Sequence, residues 1–207
     1  MKPRSGRKRR PNQLESLPCS GVEGVLLTPG AGASADHHLL VALQAALAPL
    51  PVRRMDFPYR KAGRKAPDRA PVLIGAIRDE LADFCDELGT TPDRIVLGGR
   101  SMGGRMCSLA VAESTPAAGL VLLSYPLHPP GKPDRMRTEH LPRIAVPCLF
   151  VSGDRDPFGT VDELTDAIKS IPSEVTHRRL SGGHDPKPVH DEQICTWVLE
   201  WVQSIRL

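Results

Sequence analysis

A serine set between glycines stands near the middle of the chain. Arg94–Met106 reads RIVLGGRSMGGRM, and within it Gly99-Arg100-Ser101-Met102-Gly103 spells G-x-S-x-G after a β-branched apolar run and before a helix-like segment. On a sharp strand-to-helix turn a serine projects its hydroxyl from the carboxyl edge of a parallel sheet, and glycines on either side keep the neighbouring backbone from colliding in the bend. Ser101 is therefore a candidate nucleophile, with an ordinary glycine-rich turn as the plain alternative for the pentapeptide taken alone. A hydroxyl is a poor nucleophile at neutral pH, so it needs a base within hydrogen-bond reach and an acid to fix the tautomer of that base. Two later segments offer these groups: Ser152-Gly153-Asp154-Arg155-Asp156-Pro157 after the apolar run Cys148–Val151, and Ser181-Gly182-Gly183-His184-Asp185 after a final strand-like stretch. His184 is the candidate base, and Asp154 and Asp156 both stay open as the acid. A phosphate-binding loop is excluded, because no lysine follows Gly103 or Gly104 and the G-x-x-x-x-G-K-[ST] order is missing.

These groups need a scaffold that brings distant turns to one edge, and the order of elements supplies it. Gly24–Thr28 is an apolar run ended by Pro29-Gly30, and within Asp36–Leu47 the residues Leu39, Leu40, Leu43 and Leu47 recur at helical spacing. Val52–Phe57 reads as a short strand. The basic stretch Tyr59–Arg69 carries too little apolar surface for core and reads as a loop. In Ala70–Leu88 the residues Leu73, Ile77, Leu81, Phe84 and Leu88 step by three or four, with Pro71 in the first turn and Gly89 as terminator. Ile95–Leu97 feeds the Ser101 turn, and Gly103–Ala112 continues as a helix. Leu120–Leu123 and Pro147–Val151 are unbroken apolar runs, the pattern of strands covered on both faces. Thr160–Ser170 and Asp191–Ser204 read as helices, the second with Ile194, Val198, Trp201 and Val202 on one stripe. Val175–Leu180 is half polar and belongs near a sheet edge. Alternating strands and helices predict a doubly wound, mostly parallel α/β sheet with helices on both faces.

Serine, then aspartate, then histidine, each at a strand end, is the chain order of the α/β-hydrolase triad. The chain resembles that superfamily over roughly Gly21–Leu207, with GRSMGG as the nucleophile elbow, GDRD as the acid turn and GGH as the histidine loop. Within it, LTPGAGA, GGRSMGGR, LSYPLHPPGKP, VSGDRDPFG and GGHDPKP resemble the small lidless group of dienelactone-hydrolase-like proteins and testis-expressed and non-specific-lethal-complex hydrolase-like proteins. The resemblance implies Ser101 as nucleophile, His184 as base and Asp156, from the G-x-x-D pattern with a following proline, as acid, with Asp154 as runner-up. It also implies an oxyanion hole from the backbone N–H groups of Met102 and Ala31. Pro29 stands where many relatives carry histidine. The implied activity is a serine hydrolase for a small ester, thioester or similar acyl substrate, working through an acyl-enzyme without metal or cofactor. Some relatives serve as complex subunits, so the competing reading is a hydrolase-fold interaction module that does no chemistry.

The 21 residues Tyr125–Ala145 are too few for a helical cap. Arg100, beside the nucleophile, and His128, after Leu120–Leu123, are candidates for substrate contact at the rim with Arg155, where they would favour an anionic group. The alternative for Arg100 and Arg105 is structural ion pairing with acids such as Asp79 or Glu80. His37 and His38 are expected to diverge on a helix and to make no metal site.

At 207 residues, 40% of them hydrophobic and 25% charged, the chain suits one soluble domain. Its net charge of +3 is concentrated in MKPRSGRKRR at the start, so residues 1–17 are read as a basic tail and 18–207 as the hydrolase domain, which is no basic nucleic-acid binder. With neither an apolar signal core nor a run near the ~20 residues of a membrane span, cytoplasmic residence is expected. The five cysteines form no C-x-x-C pair and are expected as buried free thiols.

Overall fold

The computed structural model describes residues 21–207; the basic tail of residues 1–17 and Cys19 lie outside them. Six parallel strands form one sheet: β1 (Gly24–Thr28), β2 (Val52–Arg54), β3 (Ile95–Arg100), β4 (Gly119–Leu123), β5 (Cys148–Gly153) and β6 (Val175–Leu180), in the spatial order β2-β1-β3-β4-β5-β6. The strands are joined by α1 (His38–Ala46), α2 (Pro58–Lys61), α3 (Ala70–Leu88), α4 (Met102–Ala112) and α5 (Val161–Ile168), and α6 (Asp191–Ser204) follows the last strand. From β1 the chain steps outward to β2 and then returns past β1 to β3. The direction of winding reverses between β1 and β3, and in open α/β sheets such a reversal opens a crevice at the carboxyl ends of the strands.

Side chains alternate across the sheet with the period of two that a strand imposes. Ile95, Leu97, Leu120, Leu122 and Phe150 face the layer of α3, α4 and α5, where Leu73, Ile77, Leu81 and Leu164 meet them. Val25, Leu27, Val96, Val121 and Leu149 face α1 and α6, where Leu39, Leu40, Leu43, Val198 and Trp201 close the second core. The central strands are therefore buried on both faces and apolar along most of their length, with Thr28, Arg100 and Ser152 near their carboxyl ends. Gly89, at φ +66, takes the left-handed backbone that ends α3. Thr160 and Glu163 cap α5 reciprocally through side chain and backbone.

Boundaries differ from the sequence expectations at several places, and three of them bear on the site end of the sheet. β2 pairs only over Val52–Arg54, because Met55 makes one further bond to Leu27 and Asp56 then turns to accept the Ala35 N–H at 2.8 Å. Tyr59–Arg69 is not wholly loop: Pro58–Lys61 forms a helical turn, with Pro58 starting it, and Tyr59 is completely buried against the core. β3 runs on through Gly98 and Gly99 to Arg100, since glycines in a strand allow another backbone to come close. The connection from β4 to β5 holds only the 3-10 turn Leu141–Arg143, so no cap domain stands over the sheet edge among the described residues. No helix there is long and apolar enough to cross a membrane.

Candidate active site

Ser101 occupies the bend between β3 and α4 at φ 52, ψ −120, a conformation rarely adopted by a residue with a side chain. It persists because its surroundings leave nothing else: the Ser101 N–H donates to Leu123 at 2.8 Å, its carbonyl accepts from Arg105, and α4 starts at once. The flanking glycines are enforced by contact. A Cβ on Gly99 would come within 2.5 Å of the Thr28 carbonyl oxygen, and one on Gly103 within 2.5 Å of the Pro29 carbonyl oxygen. α4 thereby packs against the end of β1, and Ser101 faces outward.

His184 follows β6, in the loop that brings the chain back over the sheet edge. Its Nε2 lies 2.7 Å from Ser101 Oγ, and its Nδ1 lies 2.8 and 3.0 Å from the two carboxylate oxygens of Asp156. Asp156 is 5% exposed and also accepts the Phe158 N–H at 2.8 Å, while the Phe158 ring lies 4.0 Å from the His184 ring. Carboxylate, imidazole and hydroxyl thus form one chain of hydrogen bonds, with an aromatic face holding the imidazole from the side. Asp154 points elsewhere and accepts the Gly182 N–H at 2.8 Å, bracing the histidine loop from beneath.

The loop after β1 forms the facing wall. A turn closed by the Ala33 N–H on the Gly30 carbonyl places Ala31 and Gly32 at its tip. The Tyr59 hydroxyl donates to the Ala31 carbonyl at 2.7 Å, and Arg54 reaches the Ala35 carbonyl. These contacts hold the loop although Pro29 brings no side-chain donor. Met102 is the first residue of α4, so its N–H has no acceptor within the helix, and Ala31 and Met102 line the same cleft as Ser101 and His184.

The sequence matches a known family: residues 22–197 fit the model described as "Alpha/beta hydrolase domain". The chain belongs to the alpha/beta hydrolase domain family. Solved structures agree on the fold. An esterase from Thermogutta terrifontis, with malate bound, superposes with a TM-score of 0.68 at 20% identity over 89% of this chain and 90% of that one. A monoacylglycerol lipase from Paleococcus ferrophilus gives 0.67 at 17% over 88% and 95%. The type II thioesterase BorB from the borrelidin biosynthetic cluster gives 0.66 at 18% over 87% and 93%.

In this alpha/beta hydrolase the cleft measures about 740 Å³, in the range of small-molecule sites, and its wall includes Phe158, Pro126 and four arginines. Arg100 is 9% exposed and pairs with Asp185 at 2.8 Å; neither Asp79 nor Glu80 is its partner. Burial pulls the Arg100 guanidinium below its usual range, opposed by the charges of Asp185 and Asp156. Asp185 also accepts a hydrogen bond from His37 Nε2–H at 3.3 Å, and His37 Nδ1 accepts the Leu39 N–H at the start of α1. That pattern needs a neutral ring, and burial, followed by the charges of Arg100 and His38, lowers the His37 pKa.

His128 does not line the cleft. It is 5% exposed, with Nδ1 on the Pro129 carbonyl and Nε2 3.5 Å from Glu163, so it belongs to the packing beneath α5 rather than to substrate contact. Arg155 is exposed, with bonds to Ser181 and Asp154, and also lies outside the lining. His37 and His38 do not diverge, because His37 precedes α1: their rings lie 4.4 Å apart, and their nitrogens come within 4.8 Å of one another and of an Asp185 oxygen. The Arg100 guanidinium on the same oxygen opposes a cation there. Residues missed from sequence are thus Asp185, which ties the histidine loop to the elbow, Phe158 beside the imidazole, and Tyr59 under the loop after β1. Asp185 carried one legible signal, its place directly after His184; Tyr59 was hidden in a basic stretch.

Proposed function

We propose that the chain is a serine hydrolase that cleaves a small ester, thioester or similar acyl substrate through an acyl-enzyme on Ser101. The observation that carries this reading is the unbroken hydrogen-bond chain from Asp156 through His184 to Ser101 at a glycine-enforced elbow. Ser101 Oγ attacks the carbonyl carbon while His184 Nε2 takes its proton, and Asp156 stabilises the imidazolium through Nδ1–H. The carbonyl oxygen, now negative, is held by the N–H groups of Ala31 and Met102, which are fixed before the reaction and so need not reorganise during it. Collapse of the intermediate expels the alcohol or thiol with the proton from His184, and water repeats the sequence on the acyl-enzyme. The short β4–β5 connection supports the likeness to the small lidless group.

The test is covalent. A fluorophosphonate probe is expected to label the protein at Ser101, and p-nitrophenyl acetate or butyrate to be hydrolysed, with Ser101→Ala removing the label and lowering turnover by on the order of 10⁴–10⁶. An assembled fold that takes no label and turns over neither ester would transfer the reading to the interaction module.

A further inference from the structure

Four arginines line the cleft: Arg60 from α2, Arg100 from the elbow, Arg105 from the second turn of α4 and Arg137 from the β4–β5 connection. They converge from separate segments. Two acids line the same space, and both are occupied: Asp185 holds Arg100 and His37, and Asp36 holds Arg54 at 3.0 Å. Several arginines elsewhere meet acids, as in Arg53 with Glu80 and Glu87, Arg64 with Asp68, Arg78 with Glu113 and Arg94 with Glu23, while others, such as Arg178 and Arg179 on β6, do not. Among the described residues Arg60, Arg105 and Arg137 have no carboxylate within ion-pair distance, and the buried Arg105 Nε has no hydrogen-bond partner. Arg105 and Arg137 are near enough for one charge to act on the other: the Arg137 pKa is lowered first by burial and then by the charge of Arg105.

Like charges brought together are costly, and an oxyanion between them removes that cost. A planar guanidinium fork matches the geometry of a carboxylate or phosphate. Beneath the cleft the Arg105 main-chain carbonyl accepts the Ser108 hydroxyl at 2.8 Å, and Ser108 bonds His140 at 2.8 Å.

We propose that Arg105 and Arg137, with added charge from Arg60, form an anion-binding subsite, so that the preferred substrate is an ester or thioester bearing a carboxylate or phosphate. This substrate class rests on the serine-hydrolase reading; the subsite does not. The full chain is assayed with the mono-p-nitrophenyl ester of glutaric acid and with p-nitrophenyl valerate, which differ in the terminal carboxylate. The expected ratio of kcat/KM, charged over neutral, is about 10 or more, falling at least about tenfold in the Arg105→Gln/Arg137→Gln variant and falling as salt is raised. A preference for valerate, or a ratio unchanged in that variant, overturns the substrate class.

Binding to Ser101→Ala keeps the subsite testable if neither ester turns over. Calorimetric titration with inorganic phosphate and, separately, glutarate is expected to show at least one binding with millimolar or tighter affinity, lost when Arg105→Gln and Arg137→Gln are added. The tighter of the two identifies the headgroup. Binding of neither, or equal binding without the arginines in a variant whose melting shows it folded, overturns the subsite. Fluorophosphonate labelling reports on Ser101 separately, so the two readings fail independently.

Discussion

At the scale of single residues, the two carboxylates of the GDRD turn have different tasks although one residue separates them. Asp156 is buried against His184, and Asp154 supports the Gly182 backbone. Asp156→Asn keeps an oxygen for the Phe158 N–H but loses the charge that favours the reactive tautomer, so turnover of p-nitrophenyl butyrate is expected to fall by on the order of 10³–10⁴ with a normal circular dichroism spectrum. Asp154→Asn is expected to keep most of the turnover and to lower thermal stability instead. A larger kinetic loss in Asp154→Asn would exchange the two roles. The serine and the pair of acids were legible in sequence because each stands on a glycine turn directly after an apolar run, and the histidine because two glycines precede it after the half-polar β6. Arg105 and Arg137 were not. Their importance comes from the acids they fail to meet, and a sequence does not show which charges remain alone after folding. The same limit hid the pairing of Arg100 with Asp185, which joins the β3–α4 bend to a loop beyond the last strand.

At the scale of elements, the elbow depends on how closely α4 approaches the end of β1. Gly103 meets the Pro29 and Thr28 carbonyl oxygens, backbone atoms that cannot rotate aside. Gly103→Ala is expected to cost about 1–3 kcal/mol, read from urea unfolding, and to reduce turnover by more than the lost folded fraction accounts for, because relief of the clash separates the loop after β1, the proposed source of an oxyanion donor, from Ser101. A variant of normal activity would show the gap between β1 and α4 to be compliant. Helices and central strands could be read from periodicity because burial on one stripe or on both faces writes itself into residue type: α3, with Leu73, Ile77 and Leu81, has the bounds its sequence predicts. The short α2 could not. One aromatic, Tyr59, carries its burial, and no period exists in four residues. β2 ended early for a comparable reason, since Asp56 leaves the ladder to hold the loop after β1.

At the scale of the molecule, acid is expected to weaken the fold through histidines that it keeps neutral. His140 is pushed down to about 4, first by burial and then by the charges of Arg105 and Arg143, and burial also lowers His177. A folded-state pKa below the unfolded value near 6.5 means that the unfolded chain takes protons first, so the contribution of His140 is complete above pH 6.5 and is lost as pH falls through about 4. Melting temperature is expected to drop across that window, and His140→Gln to flatten the drop; equal slopes would remove His140 from the account. One outer strand of the sheet has a further property. Among the described residues β2 and β6 lie at the two ends of the strand order; Arg53 and Arg54 of β2 are paired with Glu80, Glu87 and Asp36, whereas Arg178 and Arg179 of β6 meet no carboxylate within ion-pair distance. Two copies approaching β6 to β6 would bring like charges together before any backbone bond forms, a barrier to strand-by-strand aggregation that salt weakens over a Debye length of ~8 Å at physiological strength. Replacing Arg178 and Arg179 with threonine is therefore expected to leave the chain folded yet raise its light scattering on storage, because the colloidal fate of an outer strand is set by the charge along it.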